Sequence, residues 1–171
     1  MQQIAAEMAA GATGEDPEAL LVAFADETGY RTPKVDVRGV VLDTGRLLLV
    51  REPGSDGWCL PGGWADVGER PSQAVEKEVR EEAGLEVRAV RPLGVFDRDF
   101  RGRLRWPAHV YKLYILCEVL GGEPAADGLE TEAAEFFALE ALPTLSLKTP
   151  RDQLERALAV ALDRSQPPAL D

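Results

Sequence analysis

Basic residues are scarce in this chain. It has 19 Lys and Arg against 30 Asp and Glu over 171 residues, a formal net charge of −11. Phosphate backbones are held by basic surfaces, so nucleic acid and anionic membranes are disfavoured partners. A small phosphorylated substrate stays open, provided metal cations bridge the charge. Cysteine is scarce too: Cys59 and Cys117 lie in the apolar runs "WCLP" and "YILCEV", which reads as two buried thiols. Neither spacing suggests zinc, and nothing points to secretion or a disulfide. The start "MQQIAAEMAAG" lacks the basic and apolar regions of a signal peptide. No apolar run approaches the length of a membrane span, and the expected location is cytoplasmic. Internal repeats and low-complexity segments are absent.

What is present is enough for one globular domain with an appendage, since 45% of residues are hydrophobic. Met1 to Ala10 reads as a short helix. A second helix runs through "EDPEALLVAFADETG", with Asp16 as N-cap, Pro17 in the first turn and Gly29 as the stop. "KVDVRGVVLD" and "RLLLVRE", joined by "DTGR", read as a hairpin. "WCLPGGWA" reads as a short strand broken by Pro61 and two glycines. "PSQAVEKEVREEAG" is helical, with Pro71 near its start and Gly84 at its end. "LEVRAVRPLGVFDRDF" gives one or two strands, "AHVYKLYILCEVL" another, and "AEFFAL" a third. "TPRDQLERALAVALD" is a helix with Thr149 as N-cap and Pro150 in its first turn. This order predicts an α/β (α+β) fold, an α/β/α sandwich with a mixed sheet. The expected divisions are a helical arm over 1–30, a main domain over 31–164 and a flexible tail over 165–171.

The charge that is plentiful is concentrated. Asp66, Glu69, Glu76, Glu78, Glu81 and Glu82 all follow the pair Gly62 and Gly63 within one short stretch. On a helix at about 100° per residue, Val75, Val79 and Ala83 form an apolar stripe. Glu78, Glu81 and Glu82 cluster on the neighbouring arc, and Lys77 and Arg80 face solvent. Glu78 and Glu82 are four residues apart and can converge on one ion. Mg²⁺ takes oxygen ligands, commonly one or two carboxylates plus phosphate and water. A Glu-rich helix is usually only a solvated face; the wider spacing decides against that.

Gly63, Glu69, Glu78, Val79, Glu81, Glu82, Gly84 and Leu85 match the pattern G-x5-E-x7-R-E-U-x-E-E-x-G-U, where U is aliphatic. With "LPGG" ahead of it, this stretch resembles the box of the Nudix hydrolases. The resemblance implies a Nudix α/β/α sandwich from about Val35 to Asp163. It also implies metal-dependent hydrolysis of the pyrophosphate bond in a nucleoside diphosphate linked to another group, with Mg²⁺ or Mn²⁺. Glu78, Glu82, Glu81 and Glu69 are then the metal-binding candidates. Glu81 is alternatively the base, and Glu132 is the candidate acid from a later loop, in competition with Glu130 and Glu135. Gly62, Gly63 and Trp64 are expected to line the substrate site, while Trp58 and Trp106 are weaker stacking candidates. Lys77 stands where the family carries arginine, keeping the charge but losing the planar fork of donors. His109, the one histidine, is expected to be structural.

"RTPKVDVRGVV", "WCLPGGWADVGE" and "HVYKLYILCEV" further resemble a subgroup with an N-terminal helical arm that includes CDP-choline pyrophosphatases. This ranks a CDP-choline-like substrate first, ADP-ribose second and nucleoside triphosphates third. A non-catalytic nucleotide-binding module is the alternative of another class. The stripe Leu20, Leu21, Phe24 predicts a homodimer assembled through the arm.

Overall fold

The computed structural model describes residues 16–26, 32–98 and 109–171, together with positions 3, 6, 7, 10, 11 and 14. Most of the expected first helix, and the helix stop Gly29, fall outside these. The chain divides into two units, Met1–Thr32 and Pro33–Asp171. In the first, helix α1 (Pro17–Asp26) starts after Asp16, whose Oδ1 accepts the Glu18 N–H at 3.3 Å. Leu20 and Leu21 are half-buried; the Phe24 side chain lies outside the described residues.

In the second unit, β1 (Lys34–Asp43) and β2 (Arg46–Arg51) form the expected hairpin. Its turn residues Thr44 and Gly45 both have positive φ, 48° and 77°, the geometry that matches the twist of paired strands. Strand β3 (Leu85–Asp97) is one long strand with three register shifts, paired antiparallel with β4 (Val110–Gly122). β4 lies parallel to β1, and β5 (Ala133–Ala138) antiparallel to β2. With β6 (Ala169–Leu170), the sheet order is β5-β2-β1-β4-β3-β6.

Alternation along the strands builds two cores. Val37, Val41, Leu48 and Val50 pack with Val75, Val79 and Ala83 of α2 (Pro71–Ala83). Val40, Leu47 and Leu49 pack with Leu154, Ala157 and Leu158 of α3 (Arg151–Leu162). Leu47, Leu48, Leu49 and Val50 are all fully buried, because a strand covered on both faces needs no polar side. This is the expected sandwich. No helix among the described residues is long and apolar enough to cross a membrane.

Three local expectations are corrected. "WCLPGGWA" forms only isolated bridges, Val50 to Cys59, Trp58 to Leu145 and Asp36 to Trp64. Pro61 has no N–H to give, and Gly62 at φ 141° leaves the extended region. Helix α3 starts one residue later, at Arg151 with Pro150 as N-cap. The buried Thr149 hydroxyl instead accepts the Leu60 N–H at 2.9 Å, joining two loops. Finally, the segment 165–171, expected as a flexible tail, contains a short strand. Ala169 and Leu170 pair with Gly94 and Val95 of β3, and the Asp171 carboxylate accepts the Asp97 N–H and lies 3.3 Å from Arg156. The free edge of β3 supplies the backbone partners that a short polar segment does not advertise.

Candidate active site

Strand β1 and helix α2 are bridged by the loop that carries the glycine pair. The Gly63 carbonyl accepts the Val37 N–H at 2.8 Å, and Pro61 does the same for Gly39. These bonds press the loop onto β1 so closely that a Cβ on Gly62 would sit 2.0 Å from the Val37 carbonyl oxygen. A Cβ on Gly63 would sit 2.7 Å from Glu78 Oε2. Backbone contact therefore requires glycine at Gly62, while at Gly63 a side chain would push the Glu78 carboxylate aside. The Gly62 N–H donates to Glu82 Oε2 at 2.8 Å, so the loop holds one acid of α2 while making room for another.

The acids of α2 do not share one environment. Glu82 is buried, and burial pushes its carboxyl up to about 7 despite the Gly62 N–H and nearby Arg38. Glu78, with its side chain 13% exposed, is raised as well, chiefly by burial. Glu81 is exposed, 3.9 Å from Arg80, and its charge adds to the rise at Glu78. Glu69 is held by Lys77 Nζ at 3.0 Å, with Asp66 joining at 3.1 Å. Lys77 therefore turns back toward the loop rather than out to solvent, and its ammonium is raised mainly by the hydrogen bond to Glu69.

Glu78, Glu82, Gly62, Gly63, Trp64 and Asp66 line a cavity of about 650 Å³. The same cavity is lined by Asp36, Arg38, Lys112, Arg98, Lys148 and Glu52, and by Glu130. Trp64 is 42% exposed, with Lys34 Nζ 5.4 Å from its ring centroid. Trp58 is instead packed edge-on against Phe137 at 4.7 Å, and Trp106 lies outside the described residues. His109 binds Asp97 Oδ2 at 2.8 Å on the surface.

Of the later-loop acids, Glu130 reaches the cavity and Glu132 does not. Glu132 pairs with Arg51 Nε at 2.7 Å, and Glu135 lies on β5 opposite Leu49. Asp127 sets this difference. Its Oδ1 accepts the N–H groups of Leu129, Glu130 and Thr131 at 3.0, 3.0 and 2.8 Å. The Thr131 hydroxyl then donates to the Glu82 carbonyl at 2.7 Å, docking the loop on α2. Asp127 is a turn former that the sequence shows, whereas its hydrogen bonds to three successive N–H groups show only in the structure.

Among the described residues no three acidic, histidine or cysteine side chains form a ready-made ligand cluster. The donor set at the cavity is two desolvated carboxylates with space beside them. That fits Mg²⁺ or Mn²⁺, which take a few carboxylates and complete their shell with phosphate and water, and it fits zinc poorly.

Comparison with known proteins agrees with this geometry. The NUDIX domain family matches residues 31–158. The YjhB protein of Bacillus subtilis strain 168 is 38% identical over 148 residues, covering 86% of this chain and 71% of that protein. An ADP-ribose pyrophosphatase of Methanocaldococcus jannaschii is 37% identical over 123 residues, 68% of this chain and 69% of that one. The crystal structure of a UDP-X diphosphatase superposes with a TM-score of 0.79 at 31% identity, covering 92% of this chain and 76% of that one. The chain belongs to the Nudix hydrolase family. Within it, two of the relatives just given are named as a pyrophosphatase and a diphosphatase.

Proposed function

We propose that the protein hydrolyses the pyrophosphate bond of a nucleoside diphosphate linked to a second group, with Mg²⁺ or Mn²⁺ held by Glu78 and Glu82. The observation that carries this reading is the pair of desolvated carboxylates that line one cavity together with Arg38, Lys112 and Lys148. A divalent cation bound there supplies charge neutralisation of the phosphates and a lowered pKa for water. The chain's own groups do the rest. The Gly62 N–H fixes the direction of the Glu82 carboxylate. Lys77 holds Glu69 and the start of the loop. Glu130 lines the cavity and is our candidate to take a proton from water there, with Glu81 and Glu132 as the alternatives. Trp64 offers a ring at the rim for the nucleoside.

The names of the relatives differ in the nucleotide but agree in the bond. An ADP-ribose pyrophosphatase and a UDP-X diphosphatase both cleave a nucleoside diphosphate derivative. Resemblance of the sequence ranks CDP-choline first within that class, and the archaeal relative brings ADP-ribose beside it. The test is a panel of CDP-choline, ADP-ribose, UDP-sugars and nucleoside triphosphates, assayed with Mg²⁺ and with Mn²⁺. Nucleoside monophosphate should appear from one of the diphosphate derivatives and disappear with a chelator. Turnover that persists after exhaustive metal removal, or binding without turnover across the whole panel, refutes the reading.

A further inference from the structure

Strand β4 carries one charged residue on an inward-facing position in its first half, Lys112. It pairs in register with Asp36 of the parallel neighbour β1, and it is 1% exposed. A lysine buried this far normally meets a carboxylate. Lys112 does not: among the described residues, its Nζ donates only to the Lys148 carbonyl, and no carboxylate comes within ion-pair distance. Asp36 is occupied by Arg38, whose Nε and Nη2 bind its two oxygens at 2.6 and 2.9 Å. The remaining Arg38 contact, from Nη1, goes to the Leu60 carbonyl at 3.0 Å. Glu52 is likewise taken, by Lys148 Nζ at 2.6 Å. Every acid on this wall has a partner, and Lys112 is left over.

The cavity gives the leftover charge an address. Lys112 lines the same space as Glu78 and Glu82. Its surroundings make the lone ammonium costly: burial, reinforced by Arg38 and opposed by Asp36, pushes it down to about 7. Among the described residues, its one acceptor is the Lys148 carbonyl, which leaves two of its three N–H bonds without a partner. A phosphate oxygen would satisfy them and restore the charge, and an ammonium is a common phosphate binder.

Resting on the hydrolase reading above, we propose that Lys112 is a substrate-binding residue, contacting the phosphate of the pyrophosphate group that the glutamate side of the cavity does not hold. The cavity then divides the work between two walls. Carboxylates take one phosphate through a divalent cation, and a buried ammonium takes the other directly. A pyrophosphate diester spans the two; a monophosphate reaches only one.

Two neutral variants, Lys112→Met and Lys112→Gln, and the charge-preserving Lys112→Arg test this. The first readout is binding of methylenediphosphonate with Mg²⁺, a non-hydrolysable pyrophosphate without a nucleoside. Both neutral variants should lose about tenfold or more in affinity, the scale of a charge-assisted contact. The second is KM for the best nucleoside diphosphate substrate, which should rise by about the same factor, with Lys112→Arg recovering part of the loss. The third is metal-free thermal unfolding, where Lys112→Met should melt no lower than the parent, because a buried unpaired charge is removed. Unchanged diphosphonate affinity in either folded neutral variant overturns the proposal. So does a raised KM with normal diphosphonate binding, which would place Lys112 against the base. The diphosphonate measurement needs no turnover, so a protein inactive on every nucleotide still tests Lys112 separately.

Discussion

The acids around α2 fall into two groups that the sequence presents as one. Asp66 and Glu69 share Lys77, at 3.1 and 3.0 Å, and their charge is cancelled where they stand. Glu78 and Glu82, on the same helix and one turn apart, are driven into the cavity wall and receive far less. Glu78 has Lys77 only at 4.0 Å, and Glu82 has one backbone N–H. The first group is finished without a ligand; the second is not. Carboxylates whose pKa is raised by burial are unstable as anions, and a fold that keeps them there does so at a cost to itself. Strained or desolvated charge of this sort collects where a ligand is bound. On the proposed function, the contrast separates acids that hold the loop from acids that would hold a cation.

The largest expected effect follows directly. Glu78→Gln and Glu82→Gln keep the size of each side chain but cannot carry the negative charge. Turnover should fall by about two to three orders of magnitude in each, the range for loss of a principal electrostatic element. Glu69→Gln should cost much less, since its charge serves Lys77. Equal losses at all three positions, measured as kcat under saturating Mg²⁺, would erase the distinction between the groups.

A second effect is one of stability and runs the other way. Glu82 is at about 7 in the folded protein against an ordinary value of 4.5. Above pH 7 it is charged in both states, and the folded state bears the full cost of that charge. As pH falls from 7 to 4.5, the folded form takes up a proton that the unfolded chain does not, so this contribution to stability rises. Each unit of difference is worth about 1.4 kcal/mol. In the presence of a chelator, Glu82→Gln should therefore be more stable than the parent at pH 8, by up to about 3 kcal/mol. Its advantage should shrink steadily toward pH 4.5. Chemical denaturation at a series of pH values reads this, and a variant less stable than the parent at pH 8 contradicts the assignment. Glu78 should behave alike, since its shift has the same sign and chief cause.

Much of this site was legible because backbone geometry made it so. Gly62, Gly63 and the spacing of Glu78 and Glu82 follow from a loop squeezed between strand β1 and helix α2, and spacing survives in a sequence. The sandwich was legible for the same reason: β2 reads "LLLV" because both its faces are covered. What stayed hidden depends on which neighbour a side chain happens to find. Lys77 was expected in solvent because a helical wheel shows only its own helix, and its partners lie on the preceding loop. Glu132 was preferred over Glu130 by proximity to β5, although the Asp127 turn decides which of them reaches the cavity. Lys112 sits in "HVYKLYIL", where apolar neighbours mark a strand and draw attention from the single charge. A sign was available: β1 and β4 both interrupt an apolar alternation with charge, at Asp36, Arg38 and Lys112, and parallel register brings the interruptions together. The β6 pairing had no comparable signal, being two residues long.

The smallest expected effect concerns Lys77, where the family pattern carries arginine. One ammonium here serves two carboxylates, 3.0 Å from Glu69 and 3.1 Å from Asp66, with the loop's own Asp66 N–H to Glu69 bond alongside. Lys77→Arg would offer a planar fork to the same two acceptors, but the side chains are already in place. The gain should be at most a few tenths of a kcal/mol in stability, as for partly exposed ion pairs, with kcat/KM within about threefold of the parent. Lys77→Met is the informative partner. It leaves Asp66 and Glu69 uncompensated beside Glu78, adding repulsion where the cavity is already acidic. Stability should drop by less than about 1 kcal/mol, since Asp66 is largely exposed and its pairing is screened. Activity should fall about tenfold, because the loop that carries Gly62 and Gly63 loses its anchor to α2. The result that would break the comparison is a Lys77→Met enzyme with normal turnover. The first group of acids would then be a solvated cluster with no part in holding the loop, and the unequal roles would rest on Glu78 and Glu82 alone.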